Sequence, residues 1–376
     1  MSEPSPWMQR ALALAEQAYG SVSPNPHVGC VIISDGQVVG EGFTQPGGRP
    51  HAEVVALEQA GERARGATAY VTLEPCSHAT RRDGSPRTPC ATALIEAGVS
   101  GVVFAIVDPD DQVDGGGRTA LQAAGVAVEE GDGTEQASRL LEAYLKHRRT
   151  GLPFVIAKYA ASLDGRIAAA SGDSRWVSGP ETLAWAHQGR TKIDAIMVGV
   201  NTIIHDDPQL TTRPGGVEAE RQPLRVVVDS DGRIPVTAKV LQGRAKTLVA
   251  TTERCPWSWR DSMFSRHVDF FILPEDENGR VSLPHLLAEL GRRDILTLLV
   301  EGGGVLLGSF FDQHLVDKLT AVIAPMIVGA ADAATAVAGR GAQYMRDAIR
   351  LRDLTVERLG EDTLYTGYPI YPGPTD

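Results

Sequence analysis

Three side chains suited to one metal ion lie far apart in this sequence: His51 in Pro50-His51-Ala52-Glu53, Cys76 in Glu74-Pro75-Cys76, and Cys90 in Thr88-Pro89-Cys90. A chain that unites them must bring all three to one point. An imidazole and two thiolates fill three tetrahedral positions around zinc and leave the fourth for water, the arrangement of catalytic rather than structural zinc. Glu53, two residues after the histidine at the start of an expected helix, is placed to move protons between that water and a leaving amine without competing for the metal. H-x-E followed by P-C-x-x-C is the signature of zinc deaminases, and here His51-Ala52-Glu53 is followed by Pro-Cys twice with a wider interval between the cysteines. A purely structural site would call for a fourth protein ligand, and His78, two residues beyond Cys76, stays open either as that ligand or as a group facing the substrate. Cys76 is expected near a helix amino terminus, where the dipole favours thiolate. Cys30, in Gly29-Cys30-Val31-Ile32-Ile33, reads as a buried small hydrophobe, and Cys255 receives no role.

The 376 residues exceed what one hydrophobic core fills, so more than one domain is expected. In the first part, a helix over 7–19 precedes two strands joined by Asp35-Gly36, a hairpin signal. A helix over 51–64, a buried strand ending at Pro75, a helix over 90–98, a strand ending in Val107-Asp108-Pro109-Asp110 and a helix over 118–124 follow. This alternation predicts a sheet with helices on its faces. The charged run Lys146 to Pro153 breaks it and sets the boundary, giving domains 1–148 and 149–376. Lys146 to Arg149 reads as a solvated helix end, with a phosphate-binding patch as the alternative. The second part is again α/β, with strand-like runs around 195–200, 224–230, 247–252, 269–274, 295–303 and 318–329.

Composition bounds the partners. With 36 Lys and Arg against 47 Asp and Glu, the net charge is −11, a field that repels polyanions unless a local patch overrides it. Aromatic residues are only 6% of the chain, which argues against a basic, aromatic-lined nucleic-acid channel. The apolar run near the amino terminus is too short for a signal peptide, and no run reaches the roughly 18 apolar residues of a membrane span. Four cysteines are too few for a disulfide scaffold. A soluble cytoplasmic protein is expected.

The second half carries a glycine run, Glu301-Gly302-Gly303-Gly304, with Gly308 four residues on, after an apolar strand and before an apolar helix. Such a loop presents backbone N–H groups to a phosphate. Its spacing puts Leu307 where a dinucleotide fingerprint has its third glycine, so a phosphate cradle and a tight structural turn both remain open.

The runs PNPHVGCVI, PHAEV, GATAYVTLEPCSH, TPC, VDPD, ASLDGRIA, SGDSRW, DDPQLTTR, VVVDS and VEGGG, spread over nearly the whole chain, resemble the bifunctional riboflavin biosynthesis family. That family joins a diaminohydroxyphosphoribosylaminopyrimidine deaminase to a 5-amino-6-(5-phosphoribosylamino)uracil reductase. The resemblance implies a cytidine-deaminase-like three-layer domain followed by a dihydrofolate-reductase-like domain. It implies His51, Cys76 and Cys90 as zinc ligands, Glu53 as proton shuttle and Asn25 as a pyrimidine contact. In the second domain it implies Ala160, Trp176, Thr202, Asp206, Ser230, Gly303, Gly304 and Gly308 as contacts of NADPH. Ser174, Arg190, Leu210, Arg213 and Glu301 are implied as substrate contacts, Arg190 and Arg213 offering planar forks to a phosphate. A homo-oligomer formed through the reductase half is implied as well. One departure concerns the 13 residues between Cys76 and Cys90, where the family has a shorter connection. The added Arg, Asp, Gly, Ser and Pro suit an outward loop that leaves Cys90 a ligand, and Arg81, Arg82 and Arg87 in it either grip a phosphate or are solvated. Alternatives from other classes are a deaminase whose reductase-like half only binds or regulates, a nucleoside or nucleic-acid deaminase, and a noncatalytic protein stapled by zinc.

Overall fold

The structure, a computed structural model, describes residues 3–80, 85–110, 113, 115–266 and 268–373. The chain divides into two compact units, Met1–Leu152 and Pro153–Asp376.

In the first unit α1 (Pro6–Gln17) leads into β1 (Gly29–Ser34) and β2 (Gln37–Phe43). Then come α2 (Ala52–Ala60), β3 (Thr68–Val71), α3 (Cys90–Glu96) and β4 (Gly101–Phe104). The unit closes with α4 (Gly116–Ala123), β5 (Ala127–Glu130), α5 (Thr134–Leu140) and α6 (Glu142–Thr150). The strands lie in the order β2-β1-β3-β4-β5. The first three are antiparallel, and β3, β4 and β5 are parallel. Asp35 and Gly36, both at positive φ, make the expected hairpin turn. Met8, Ala11 and Ala137 of α1 and α5 pack with Val31, Ile33 and Val103 on one face of the sheet. On the other face α2 lies so close to β2 that a Cβ at Gly40 would sit 2.1 Å from the Ala56 carbonyl oxygen. The helix that carries Glu53 is therefore seated directly on the sheet, and a three-layer sandwich results. The expected solvated end of α6 is only partly so: Arg148 is half-buried over the Tyr144 ring, its Nε 3.1 Å from the Asp110 carboxylate and its Nη2 donating to the Pro24 carbonyl.

The second unit begins with β6 (Phe154–Ser162), α7 (Pro180–Gly189), β7 (Ala195–Gly199) and α8 (Val200–Asp206). It continues with β8 (Leu224–Val228), β9 (Thr247–Thr251), α9 (Trp257–Phe264), β10 (Asp269–Ile272) and α10 (Leu283–Arg292). Then follow β11 (Thr297–Glu301), α11 (Gly304–Asp312), β12 (Lys318–Ala324), β13 (Arg350–Leu359) and β14 (Asp362–Ile370). The order is β10-β9-β8-β7-β11-β6-β12-β14-β13. Strands β10 through β12 are parallel, and the closing hairpin is antiparallel. Central strands such as β11 are buried on both faces, as a parallel sheet requires, which is why they read as unbroken apolar runs. The β13–β14 hairpin was not anticipated from the sequence. β13 is a polar edge strand with almost no buried face, so it lacks the alternation that marks a half-buried strand. Cys255, left without a role, is a core residue beside Trp259 and Met263.

Candidate functional site

The metal-suited side chains all come from places where the sheet ends and helices begin. His51 is the extended residue before α2, Glu53 lies in the first turn of that helix, Cys76 follows β3, and Cys90 is the first residue of α3. Their donor atoms lie within 4.8 Å of one another. His51 Nδ1 is 3.2 Å from Cys90 Sγ and 3.7 Å from Cys76 Sγ. Cys76 Sγ accepts a hydrogen bond from the Cys90 backbone N–H at 3.3 Å, so the sulfur stands at the amino end of α3 as expected. Although burial opposes it, hydrogen bonds from the Cys90 thiol and His51 hold the Cys76 thiol well below its ordinary range.

This donor set fits zinc. It offers one nitrogen and two sulfurs, and among the described residues no fourth His, Cys, Asp or Glu joins the group. His78, the open alternative, lies outside it. Burial holds its imidazole pKa down, and its Nδ1 has no hydrogen-bond partner. Glu53 is 3% exposed and its Oε2 is buried without a partner, an arrangement that is expensive unless something else completes it. Burial pushes this carboxyl above its usual range, as suits a group that takes up and releases a proton. A cavity of about 30 Å³, room for water, is lined by Asn25, His51, Glu53, Cys76 and Asp108 among others. Arg87 Nε donates to the His78 carbonyl and Nη1 lies 3.4 Å from His51 Nε2, so it is no solvated loop arginine. Arg81 and Arg82 lie outside the described residues.

Two carboxylates here escaped the sequence reading. Glu74, of the Glu-Pro-Cys run, is 2% exposed and accepts from the backbone N–H groups of Asp108, Gly115 and Arg118. It thereby ties the strand end carrying Cys76 to the start of α4. Asp108, from the Val-Asp-Pro-Asp run, lines the cavity and accepts from the Tyr144 hydroxyl at 3.0 Å. Burial pushes its carboxyl up to about 7. An acidic residue closing an apolar strand was the available signal.

The second unit holds a cleft of about 690 Å³, the size of a small-molecule site. It opens at the carboxy-terminal ends of the parallel strands, where such sheets bind ligands. Ala160, Trp176, Thr202, Asp206, Ser230, Gly303 and Gly304 line it. So do Ser174, Arg190, Leu210 and Glu301, whereas Arg213 and Gly308 do not. Ser174 Oγ donates to Asp206 Oδ1 at 3.0 Å, joining two of these segments. Arg213 lies nearby, its backbone N–H donating to His187 Nδ1 and its Nη1 to Gln209 Oε1.

Arg190 does not present a free fork. Its Nη2 donates to Glu301 Oε2 at 2.6 Å, its Nε to Glu301 Oε1, and its Nη1 to the Thr211 carbonyl. Burial pushes the Glu301 carboxyl up, but the charges of Arg190 and Lys158 outweigh it and hold the carboxyl at about 2. Lys158, which the sequence reading passed over, lines the cleft and sits on β6 in register with Glu301 on β11. A lysine inside an apolar strand was its only mark.

The glycine run divides by purpose. Gly302 and Gly303 have φ of 71° and 77° and lie against Thr202, where added Cβ atoms would sit 3.5 and 3.3 Å from its Oγ1. Gly304 and Gly308 instead admit the backbone of the segment after β12, where added Cβ atoms would lie 2.2 Å from the Thr335 carbonyl oxygen and 2.1 Å from that of Ala338. Gly308→Ala must displace this backbone. We expect a loss of about 1–3 kcal/mol in thermal or urea unfolding, with dinucleotide affinity changed less than stability. A variant as stable as the wild type would show that the close approach does not matter.

Two family models match the chain: the cytidine and deoxycytidylate deaminase zinc-binding region over residues 1–106, and the RibD C-terminal domain over residues 153–365. The riboflavin biosynthesis protein RibD of Escherichia coli is 39% identical over 366 residues, covering 95% of this chain and 96% of that protein. The chain belongs to the RibD family. The RibD of a Synechocystis strain is 40% identical over 96% of this chain and 95% of that protein. Among solved structures, Acinetobacter baumannii RibD superposes with a TM-score of 0.87 at 38% identity, covering 97% of this chain and 98% of that one. A Thermotoga maritima protein described as a diaminohydroxyphosphoribosylaminopyrimidine deaminase/5-amino-6-(5-phosphoribosylamino)uracil reductase gives 0.83 at 32% identity, with the same coverage. Like other RibD chains, this one combines a zinc-dependent deaminase unit and a reductase unit, and no helix among the described residues is long and apolar enough to cross a membrane.

Proposed function

We propose that His51, Cys76 and Cys90 hold zinc, that Glu53 shuttles protons, and that the second-unit cleft takes NADPH beside the product of the first. The substrate is 2,5-diamino-6-(5-phosphoribosylamino)pyrimidin-4-one. The observation that carries the first step is the buried Glu53 Oε2, unpartnered and beside three converging donors. Zinc supplies there a Lewis acid that brings the pKa of water towards neutrality. Asn25 and Asp108, on the cavity wall, orient the pyrimidine. Glu53 takes a proton from water as its oxygen bonds to the ring carbon bearing the 2-amino group. It returns the proton to the amine as the C–N bond breaks and ammonia leaves.

In the second step NADPH supplies the two electrons. Gly302, Gly303 and Thr202, which line the cleft, would hold its phosphates, and the other cleft residues named above would flank it. Lys158 donates the proton taken up by the ribose ring oxygen as the C1–O bond opens and C1 is reduced. Glu301, held ionised by Arg190, lies in register with Lys158 and sets its negative charge beside that side chain. Arg213, with one face on Gln209, binds the 5-phosphate. A protein of charge −11 must capture these anions through such local cations. The same charge argues against nucleic acid as a partner. The exposed Leu354 and Val356 on edge strand β13 support self-association through this unit.

Purified zinc-loaded protein given the diaminopyrimidine phosphate and NADPH should release ammonia and oxidise NADPH in equal amounts. Ammonia without NADPH oxidation would leave the second unit a binding or regulatory module.

A further inference from the structure

Residues 207–213, between α8 and β8, belong to no helix or strand, yet they carry Leu210 on the cleft wall and Arg213 beside it. Their conformation is costly to hold. Asp207 and Leu210 have φ of 42° and 52°, in the left-handed region, which a bulky side chain such as leucine occupies only where its surroundings over-determine it. The hydroxyl oxygens of Thr211 and Thr212 are buried without a hydrogen-bond partner, a further expense. Strain of this kind gathers at ligand clamps, where the bound geometry is built before the ligand arrives.

Side chains from outside the segment hold its backbone. Buried Arg225 on β8 donates from Nη1 to the Gln209 carbonyl at 3.1 Å, and Arg190 donates from Nη1 to the Thr211 carbonyl at 3.2 Å. Gln222 makes a two-point contact with Thr212, its Oε1 accepting from the backbone N–H at 2.8 Å and its Nε2 donating to the carbonyl at 3.1 Å. His187, on α7, accepts the Arg213 backbone N–H on Nδ1 at 3.2 Å. Burial and the charges of Arg190, Arg213 and Lys158, opposed by Glu301, hold this imidazole below its ordinary range, so Nδ1 keeps its lone pair at neutral pH. Arg225 and Arg190 have other duties, to the Gln242 and Ala245 carbonyls and to Glu301. Gln222 and His187 meet the segment at Thr212 and Arg213 themselves, and neither lines the cleft. Asp206, one residue before the segment, is anchored separately by Ser174 Oγ and by Arg175 Nη2, which donates to its carbonyl.

We propose that Gln222 and His187 are positioning residues of the reductase, which fix the strained segment so that Leu210 and Arg213 stand ready for the phosphorylated substrate. The inference rests on the reductase reading above, which gives those two residues to the substrate. When either clamp is lost, Leu210 relaxes out of the left-handed region and Arg213 leaves the place where the phosphate arrives. Only the fraction of molecules that still hold the strained form then binds well, and apparent affinity falls by that fraction. The phosphate lies away from the carbon being reduced, so the loss falls on binding rather than on the chemical step.

Steady-state NADPH oxidation with 5-amino-6-(5-phosphoribosylamino)uracil, on wild type, Gln222→Leu, Gln222→Glu, His187→Phe and His187→Asn, tests this. The KM for the aminouracil phosphate should rise about fivefold to thirtyfold in Gln222→Leu and in His187→Phe. The kcat and the KM for NADPH should stay within about twofold of the wild type, because Asp206 and the rest of the cleft keep their own anchors. His187→Asn, whose Oδ1 can take the place of Nδ1, should restore the wild-type KM. Gln222→Glu keeps the acceptor and loses the donor, so it should fall between wild type and Gln222→Leu; these two near-isosteric variants carry the test if a leucine or phenylalanine variant does not fold. An unchanged substrate KM in the Gln222 and His187→Phe variants, an asparagine variant as impaired as the phenylalanine one, or a loss carried by kcat or shared by NADPH would overturn the positioning role and leave the reductase reading standing. Wild-type protein that oxidises no NADPH on this substrate would overturn the reductase reading, and the positioning role with it.

Discussion

Glu53→Gln should release ammonia about a hundredfold to ten-thousandfold more slowly than the wild type, the range that a positioned acid–base group contributes, while still binding one zinc per chain. The two readouts separate because Glu53 approaches the donor cluster without belonging to it: the ligating atoms come from His51, Cys76 and Cys90. Stability gives a third. The wild type keeps a carboxylate with one oxygen buried and unpartnered, and the neutral amide lightens that burden, so the variant should melt no lower than the wild type. Metal analysis, ammonia release and a thermal scan on one preparation check all three. Deamination at the wild-type rate would remove Glu53 from the mechanism, and loss of zinc would make it a ligand.

Arg190→Met should cost the second unit about 3–5 kcal/mol, because it strands a buried carboxylate whose main partner is gone. For a unit of this size that is a fall of about 10 °C in its melting temperature. Arg190→Lys should recover part of it, since an ammonium cannot reproduce the two-point contact with Glu301 and the bond to the Thr211 carbonyl. The pH dependence has a definite sign. The Glu301 carboxyl is held at about 2 in the folded chain against an ordinary value of 4.5. Its ionised form therefore stabilises the fold fully above about 4.5, and that contribution, about 3 kcal/mol, disappears as the pH falls from there through 2. The melting gap between wild type and Arg190→Met should accordingly be wide at pH 7 and narrow at pH 3. A gap independent of pH would mean that the methionine variant fails through lost packing alone. NADPH oxidation should fall with the gap intact at pH 7, and ammonia release by the first unit should not change.

Much of the donor cluster was legible in the sequence because each of its residues stands in a short run that marks it, although the runs themselves lie far apart. His51 and Glu53 are two residues apart, and Cys76 and Cys90 each directly follow a proline. Glu74 and Asp108 were not legible as site residues. A carboxylate that accepts three backbone N–H groups from residues 34 to 44 positions away has no neighbour in sequence that announces them. In the second unit the opposite ambiguity held. Glycines at 302, 303, 304 and 308 looked alike, yet two of them open the cleft and two make room for a chain segment some thirty residues later.

Residue types and their periodicity determined that there would be two α/β units, which strands would be buried and which side chains could hold a metal, because burial and ligation depend on what a side chain is. Tertiary structure alone decided that the Arg190 fork turns to Glu301 rather than outward, and that Lys158 stands in register with Glu301. Those are matters of distance between segments that pair or approach only after the sheet has ordered its strands, and charge acts through distance.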